Sequence, residues 1–127
     1  MLANSPAMGF VGVSDFAKAR AFYEGVLGLT VSWQDDFAIV ATSGGVTIRI
    51  TKPPVLNIAP YTVLGFSVSD IEEKVAALTA RGVSFERFPF LGDTQNSAGV
   101  WTSPAGAKVA WFKDPDGNLL SLSQNPD

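Results

Sequence analysis

The fold turns on the stretch Met8-Gly9-Phe10-Val11-Gly12-Val13-Ser14-Asp15-Phe16-Ala17-Lys18-Ala19-Arg20-Ala21-Phe22-Tyr23-Glu24-Gly25-Val26-Leu27-Gly28. Its first six residues are β-prone. The apolar positions that follow, Phe16, Ala19, Phe22, Tyr23, Val26 and Leu27, are spaced by three and four and describe one face of a helix. Ser14 is placed to cap that helix, Asp15 suits the positive end of its dipole, and Gly28 can adopt the left-handed conformation that ends it. The stretch therefore predicts a strand leading into a helix.

The same unit recurs 55 residues later. Val13-Ser14-Asp15 maps onto Val68-Ser69-Asp70 and, with one residue of slack, Gly28 maps onto Gly82. Tyr61–Val68 is strand-like, Ser69-Asp70-Ile71-Glu72 has the form of a capping box, and Ile71, Val75 and Leu78 continue a helical face. After the first helix, strand-like runs fall at 30–33, 37–42 and 46–51; after the second, at 84–88, 100–102, 108–113 and 119–123. Turn chemistry separates them, including Ser43-Gly44-Gly45 and Asp114-Pro115-Asp116-Gly117-Asn118. Each half reads β-α-β-β-β, the second with one strand-like run to spare. The expected fold is α+β, with two pseudo-symmetric βαβββ modules at about 8–52 and 61–124, joined by a proline-containing connector at 53–60 within one domain spanning 1–127. Two repeats are too few for a solenoid, whereas two half-modules can curve into a cup-like sheet with the helices on its outer face.

Composition narrows the chemistry. The 127 residues are 46% hydrophobic and 17% charged, with 12 acidic against 9 basic side chains and neither His nor Cys. A chain of this length buries roughly two-thirds of its unfolded surface. Disulfides, zinc knuckles, thiol nucleophiles and imidazole bases are excluded outright. A net charge of −3 with no basic run argues against nucleic acid as a partner. The start has no signal-peptide pattern and no stretch reaches membrane-span length, so a cytoplasmic protein without a membrane partner is expected.

The Val-Ser-Asp repeat, the Ala-x-x-Phe-Tyr helix ending Val26-Leu27-Gly28-Leu29, and Phe112-Lys113-Asp114-Pro115-Asp116-Gly117-Asn118 before the last strand together resemble the glyoxalase / bleomycin-resistance / extradiol-dioxygenase (vicinal oxygen chelate) superfamily. The resemblance runs from Met8 to Gln124. It implies a divalent metal held by His, Glu or Gln from the first and last strand of each module. The matching positions here are Met8, Arg49, Val63 and Ser121, and none is such a ligand. A thioether suits hard ions poorly, Val cannot coordinate, a guanidinium is cationic and a lone hydroxyl is weak. Most carboxylates fall at helix starts or in turns, where capping and solvation account for them. No metal site, cofactor or catalytic residue is expected.

Alternation sends Met8, Phe10 and Gly12 to the face opposite Val11 and Val13, Val63, Gly65 and Ser67 opposite Leu64 and Phe66, and Ser121 opposite Leu120 and Leu122. Arg49, flanked by Ile48 and Ile50, belongs on that same concave side. It can clamp a ligand carboxylate, pair internally with Glu86, or sit at a solvated rim. Trp33 and Trp101, beside polar turns, are the candidates for stacking on a ligand, while Trp111 is a weaker one and most other aromatics, Tyr23 included, are expected in the core. The aperiodic stretch from Phe88 to Gly99 is a candidate lid presenting Phe90 or Leu91 to a ligand, or a segment that packs against a second subunit. The expected lining is thus Met8, Phe10, Trp33, Arg49, Val63, Phe90, Trp101 and Ser121. The expected function is metal-independent binding of an anionic or aromatic small molecule, in antibiotic or metabolite sequestration, by a homodimer. The alternative is a metal-dependent lyase or dioxygenase with non-standard ligands.

Overall fold

The computed structural model describes residues 1–126. The chain divides into two compact units, Met1–Ile58 and Ala59–Asp127, each holding a four-stranded mixed sheet and a helix.

In the first unit, β1 (Met8–Gly12) leads into α1 (Phe16–Arg20), followed by β2 (Thr30–Gln34), β3 (Ala38–Ser43) and β4 (Val46–Thr51), with sheet order β1-β4-β3-β2. β1 runs parallel to β4 and the other pairs are antiparallel. Period-two alternation separates two faces. Val11, Val13, Ile39, Ala41, Ile48 and Ile50 are all buried, as are Ala19 and Tyr23 of the helical segment. Tyr23 is fully buried, the core role expected of it.

The helix departs from the regular one that the spacing predicts. Beyond Arg20 it widens into a π-helical turn over Ala21–Val26, in which Leu27 N–H donates to Phe22 O at 2.9 Å. The wider turn seats Phe22 and Tyr23 edge to face, ring centroids 5.2 Å apart. Gly28, at φ +78°, then reverses the chain as expected. The cap also differs from the expected Ser14. Asp15 is the capping residue, its Oδ1 accepting the Lys18 N–H at 2.9 Å. This N–H, foremost among its partners, holds the Asp15 carboxyl below its ordinary pKa.

The second unit repeats the plan: β5 (Thr62–Ser67), α2 (Ile71–Ala80), a 3₁₀ segment (Pro89–Thr94), β6 (Trp101–Thr102), β7 (Lys108–Lys113) and β8 (Leu119–Gln124), in sheet order β5-β8-β7-β6. Equivalent backbone bonds recur in the two units: Val13 N–H to Thr51 O and Val68 N–H to Ser123 O, both 2.8 Å. Here too the cap lies one residue later than the capping-box pattern suggests. Asp70 Oδ1 accepts from Glu73 N–H, while Gln124 Oε1 reaches over from β8 to accept from Ile71 N–H at 2.8 Å. The buried side of this sheet carries Ala110, Phe112, Leu120 and Leu122, and α2 buries Ile71 and Val75. Each of these side chains larger than alanine stabilises the unit by roughly 1.5–3 kcal/mol.

The expected strand at 84–88 does not form. Only Phe85 bridges to Phe112, with Glu86 N–H donating to Trp111 O. Pro89 cannot donate to a ladder and stops the pairing there. The Asp114–Asn118 turn is closed by Asp114, whose Oδ1 accepts from Asp116 and Asn118 N–H groups while Oδ2 accepts from the Asn118 side-chain amide at 2.8 Å.

Candidate functional site

Each sheet has a second face, opposite its buried side, and the eight sequence candidates lie on or beside these faces. Met8, Phe10, Trp33 and Arg49 belong to the first unit, and Val63, Phe90, Trp101 and Ser121 to the second.

On the first sheet, ladder register sets Phe10, Arg49, Val40 and Trp33 in one row across all four strands. Trp33 reaches this row through an irregularity. Ladder pairing of β2 jumps from Val31↔Ala41 to Trp33↔Val40, so Ser32 is an extra residue. In an uninterrupted ladder Trp33 would oppose Ile39 on the buried side; the bulge turns it outward instead. Ser32 Oγ donates to Val40 O at 3.1 Å and fixes the distortion. Phe10 is 62% and Trp33 48% exposed. The adjacent row is Met8, Thr47, Thr42 and Thr30. At the other end of β1, Leu56 and Pro53 lie over Gly12, closing that end of the face.

Arg49 is half-buried in the middle of this face. The internal partner considered for it, Glu86, instead faces Lys113 at 3.4 Å. Among the described residues the Arg49 guanidinium has no hydrogen bond or ion pair.

On the second sheet, one row holds Gly65, Ser121 and Trp111, and the next holds Ser67, Ser123, Val109 and Trp101. Small residues on β5 and β8 thus make a floor, and tryptophans on β6 and β7 rise beside it. The aromatics form a ladder. Trp101 and Trp111 lie 6.1 Å apart at 39°, Phe88 meets Trp111 edge-on at 5.2 Å, and Phe90 follows Phe88 at 5.7 Å. Phe90, at the free end, is 83% exposed. Val63 sits in a register irregularity between Thr62 and Leu64, outside the regular rows. Ser121 is only 6% exposed, its Oγ directly beneath the space where a Gly65 side chain would stand.

The Phe88–Gly99 stretch is held together by side-chain hydrogen bonds along its length. Gln95, buried, donates from Nε2 to both Glu86 O and Gly99 O and accepts Phe88 N–H on Oε1. Arg87 donates to Asn96 O and Gln95 O, and Asn96 Oδ1 accepts from Ala98 and Val100 N–H groups. The loop therefore positions Phe88 and Phe90 as fixed parts of the ladder. Trp111 and Phe88 were undervalued in the sequence, although one signal for Trp111 was available. Alternation puts it in phase with Ser121 and out of phase with buried Phe112.

A depression of about 810 Å³ opens on the helix side of this unit, lined by Val75, Thr79, Val83, Phe85, Arg87 and Ala98 among others. None of the eight candidates lines it, and Arg87 there is engaged by loop carbonyls.

The positions where the fold's metal ligands are expected do not form a donor set. In the first unit Met8 and Arg49 offer a thioether and a fixed cation; in the second, Val63 and a buried Ser121 offer at most one hydroxyl. Among the described residues there is no group of three or more His, Cys, Asp and Glu side chains that could hold a metal ion. Nor is any helix among them long and apolar enough to cross a membrane.

Two mixed sheets in this order, repeated with the same caps and glycine stops, define a fold class that the sequence comparison identifies. The Glyoxalase/Bleomycin resistance protein/Dioxygenase superfamily model matches residues 6–122, and the chain belongs to that superfamily. YraH of Bacillus subtilis, an uncharacterized protein, is 27% identical over 125 residues, covering 87% of this chain and 90% of YraH. TnmS3, an antibiotic binding protein from Streptomyces sp. CB03234, shares the fold with a TM-score of 0.77 at 22% identity over 99% of each chain. The lactoylglutathione lyase of Agrobacterium tumefaciens shares it with a TM-score of 0.72 at 18% identity, over 95% of this chain and 94% of the lyase.

Proposed function

We propose that this protein binds planar aromatic small molecules without a metal, and that it sequesters an antibiotic or metabolite rather than transforming it. The observation that carries this reading is the Trp101–Trp111–Phe88–Phe90 ladder standing beside a floor of Gly65, Ser67, Ser121 and Ser123. Small residues leave room for a flat ligand, and the ladder offers ring faces and edges for it to stack on. Such binding needs no acid, base or Lewis acid. A related fold serves antibiotic binding in TnmS3, which makes the same use chemically reasonable here. We place the protein in the cytosol as a homodimer with neither nucleic acid nor membrane as partner.

Tryptophan fluorescence titration against a panel of planar polycyclic antibiotics and aromatic metabolites tests the proposal. At least one member should quench saturably, and Trp111→Ala should weaken it about fivefold to tenfold, the scale of one lost ring contact plus its buried area. No binding by any panel member, or unchanged affinity in Trp111→Ala, overturns the ladder as the site. A stoichiometric divalent ion in protein purified without chelators overturns the metal-independent part. Light scattering showing a monomer at every concentration removes the dimer.

A further inference from the structure

We infer that Arg49, on the open face of the first sheet, takes the carboxylate of a planar aromatic acid. This clamp draws on residues of the first unit only, so it can fail while the ladder of the second unit binds, and the reverse.

Three observations converge on it. Arg49 is half-buried and its guanidinium has no counter-ion or hydrogen bond among the described residues. The carboxylates of its own unit are engaged or distant in register: Asp15 caps α1, Glu24 pairs with Arg20 at 3.0 Å, and Asp35 holds the turn between β2 and β3 through Phe37 and Ala38 N–H groups, with Asp36 beside it in that turn. No acidic residue occupies the Met8–Thr47–Thr42–Thr30 or Phe10–Arg49–Val40–Trp33 row. A guanidinium partly withdrawn from water favours an anion, and its planar fork matches a carboxylate with two parallel N–H···O bonds.

The surroundings specify the rest of the ligand. Along β4, Thr47 and Thr51 lie two residues to either side of Arg49 and share its face, so hydroxyl donors flank the guanidinium. Across the sheet, Phe10 lies directly opposite Arg49 on one side. On the other side Val40 forms the floor and Trp33 lies beyond it. With strands about 4.8 Å apart, Trp33 stands about 10 Å from Arg49, the reach of one or two fused rings. A molecule with its carboxylate on Arg49 can rest its ring on Val40 and against Trp33. A simple inorganic anion would use only the guanidinium and the hydroxyls. The two large exposed aromatics on this row favour an aromatic acid over a bare anion.

The test uses ¹H–¹⁵N NMR titration of the full chain with 2-naphthoate, its neutral analogue 2-naphthamide, and acetate. Naphthoate should shift the Trp33 indole and Arg49 Nε–H signals saturably. Naphthamide and acetate should each bind about tenfold more weakly or worse, since one lacks the charge and the other the ring. Arg49→Gln should reduce naphthoate affinity about tenfold while leaving quenching at the Trp111 ladder unchanged. Arg49→Lys, which retains the charge but loses the fork, should fall between, and it replaces the first variant if Arg49→Gln unfolds. Equal affinity for naphthoate and naphthamide, or naphthoate shifts confined to the second unit, overturns the clamp. Equal affinity for acetate and naphthoate overturns the aromatic half and leaves Arg49 holding any carboxylate.

Discussion

A Cβ atom added at Gly65 would lie 2.9 Å from Ser121 Oγ on the adjacent parallel strand, so the two residues share one space above the second sheet. The floor beside the aromatic ladder exists because neither position carries a larger side chain.

Gly65→Ala should therefore destabilise the protein by about 1 kcal/mol, the low end of overpacking costs, since Gly65 is exposed and only the Ser121 hydroxyl it would press on is buried. The same substitution in a Ser121→Ala background should be neutral or stabilising, because the colliding oxygen is gone and alanine restricts the unfolded chain. Urea unfolding of the four proteins measures the coupling, and additivity of the two changes would refute the contact.

Gln95→Ala removes the side chain that serves Glu86 O, Gly99 O and Phe88 N–H at once. Buried partners left unpaired make the cost about 2–3 kcal/mol. Gln95→Glu should cost at least as much, since it sets an acceptor against two carbonyls. Near-ultraviolet circular dichroism should change in both, because Phe88 loses its anchor beside Trp111.

The depressed pKa of Asp15 has a defined sign. The charged carboxylate is the form favoured by folding, so its contribution is complete above the ordinary carboxylate range and is lost as pH falls through the lowered folded-state value. Asp15→Asn should lower Tm at neutral pH and flatten the dependence of Tm on pH only at the acid end. A parallel shift of the curve at all pH values would mean that the charge is irrelevant to the cap.

Excess Mg²⁺, Mn²⁺ or Zn²⁺ should leave Tm unchanged, since a ligand stabilises only the state that binds it. A concentration-dependent rise would show donors other than Met8, Arg49, Val63 and Ser121.

The duplication was plain in the sequence because Val13-Ser14-Asp15 and Val68-Ser69-Asp70 place the same cap and strand end before the same helical periodicity. Alternation also placed Met8, Phe10, Arg49 and Ser121 on the open faces. What escaped depended on register changes and long-range bonds. Trp33 faces outward only because Ser32 is an extra residue in β2, which local pattern does not encode. Trp111 and Phe88 join through a loop whose shape is set by Gln95, a residue with no distinctive neighbourhood in sequence. The helix caps slipped by one residue, as Ser-Asp pairs offer two acceptors and the carboxylate took the role in both units.

The irregularities in the ladders bear on how the protein avoids open-ended edge-to-edge aggregation. A sheet edge is a template for aggregation unless something interrupts it. β2 carries the bulge at Ser32, β5 a register break at Val63, and β6 is only two residues long. β1 alone among the four edge strands runs uninterrupted, from Met8 to Gly12. Misassembly under stress, or strand exchange with an extended peptide, should begin at β1, and a lysine or proline introduced on that strand is the natural guard against it.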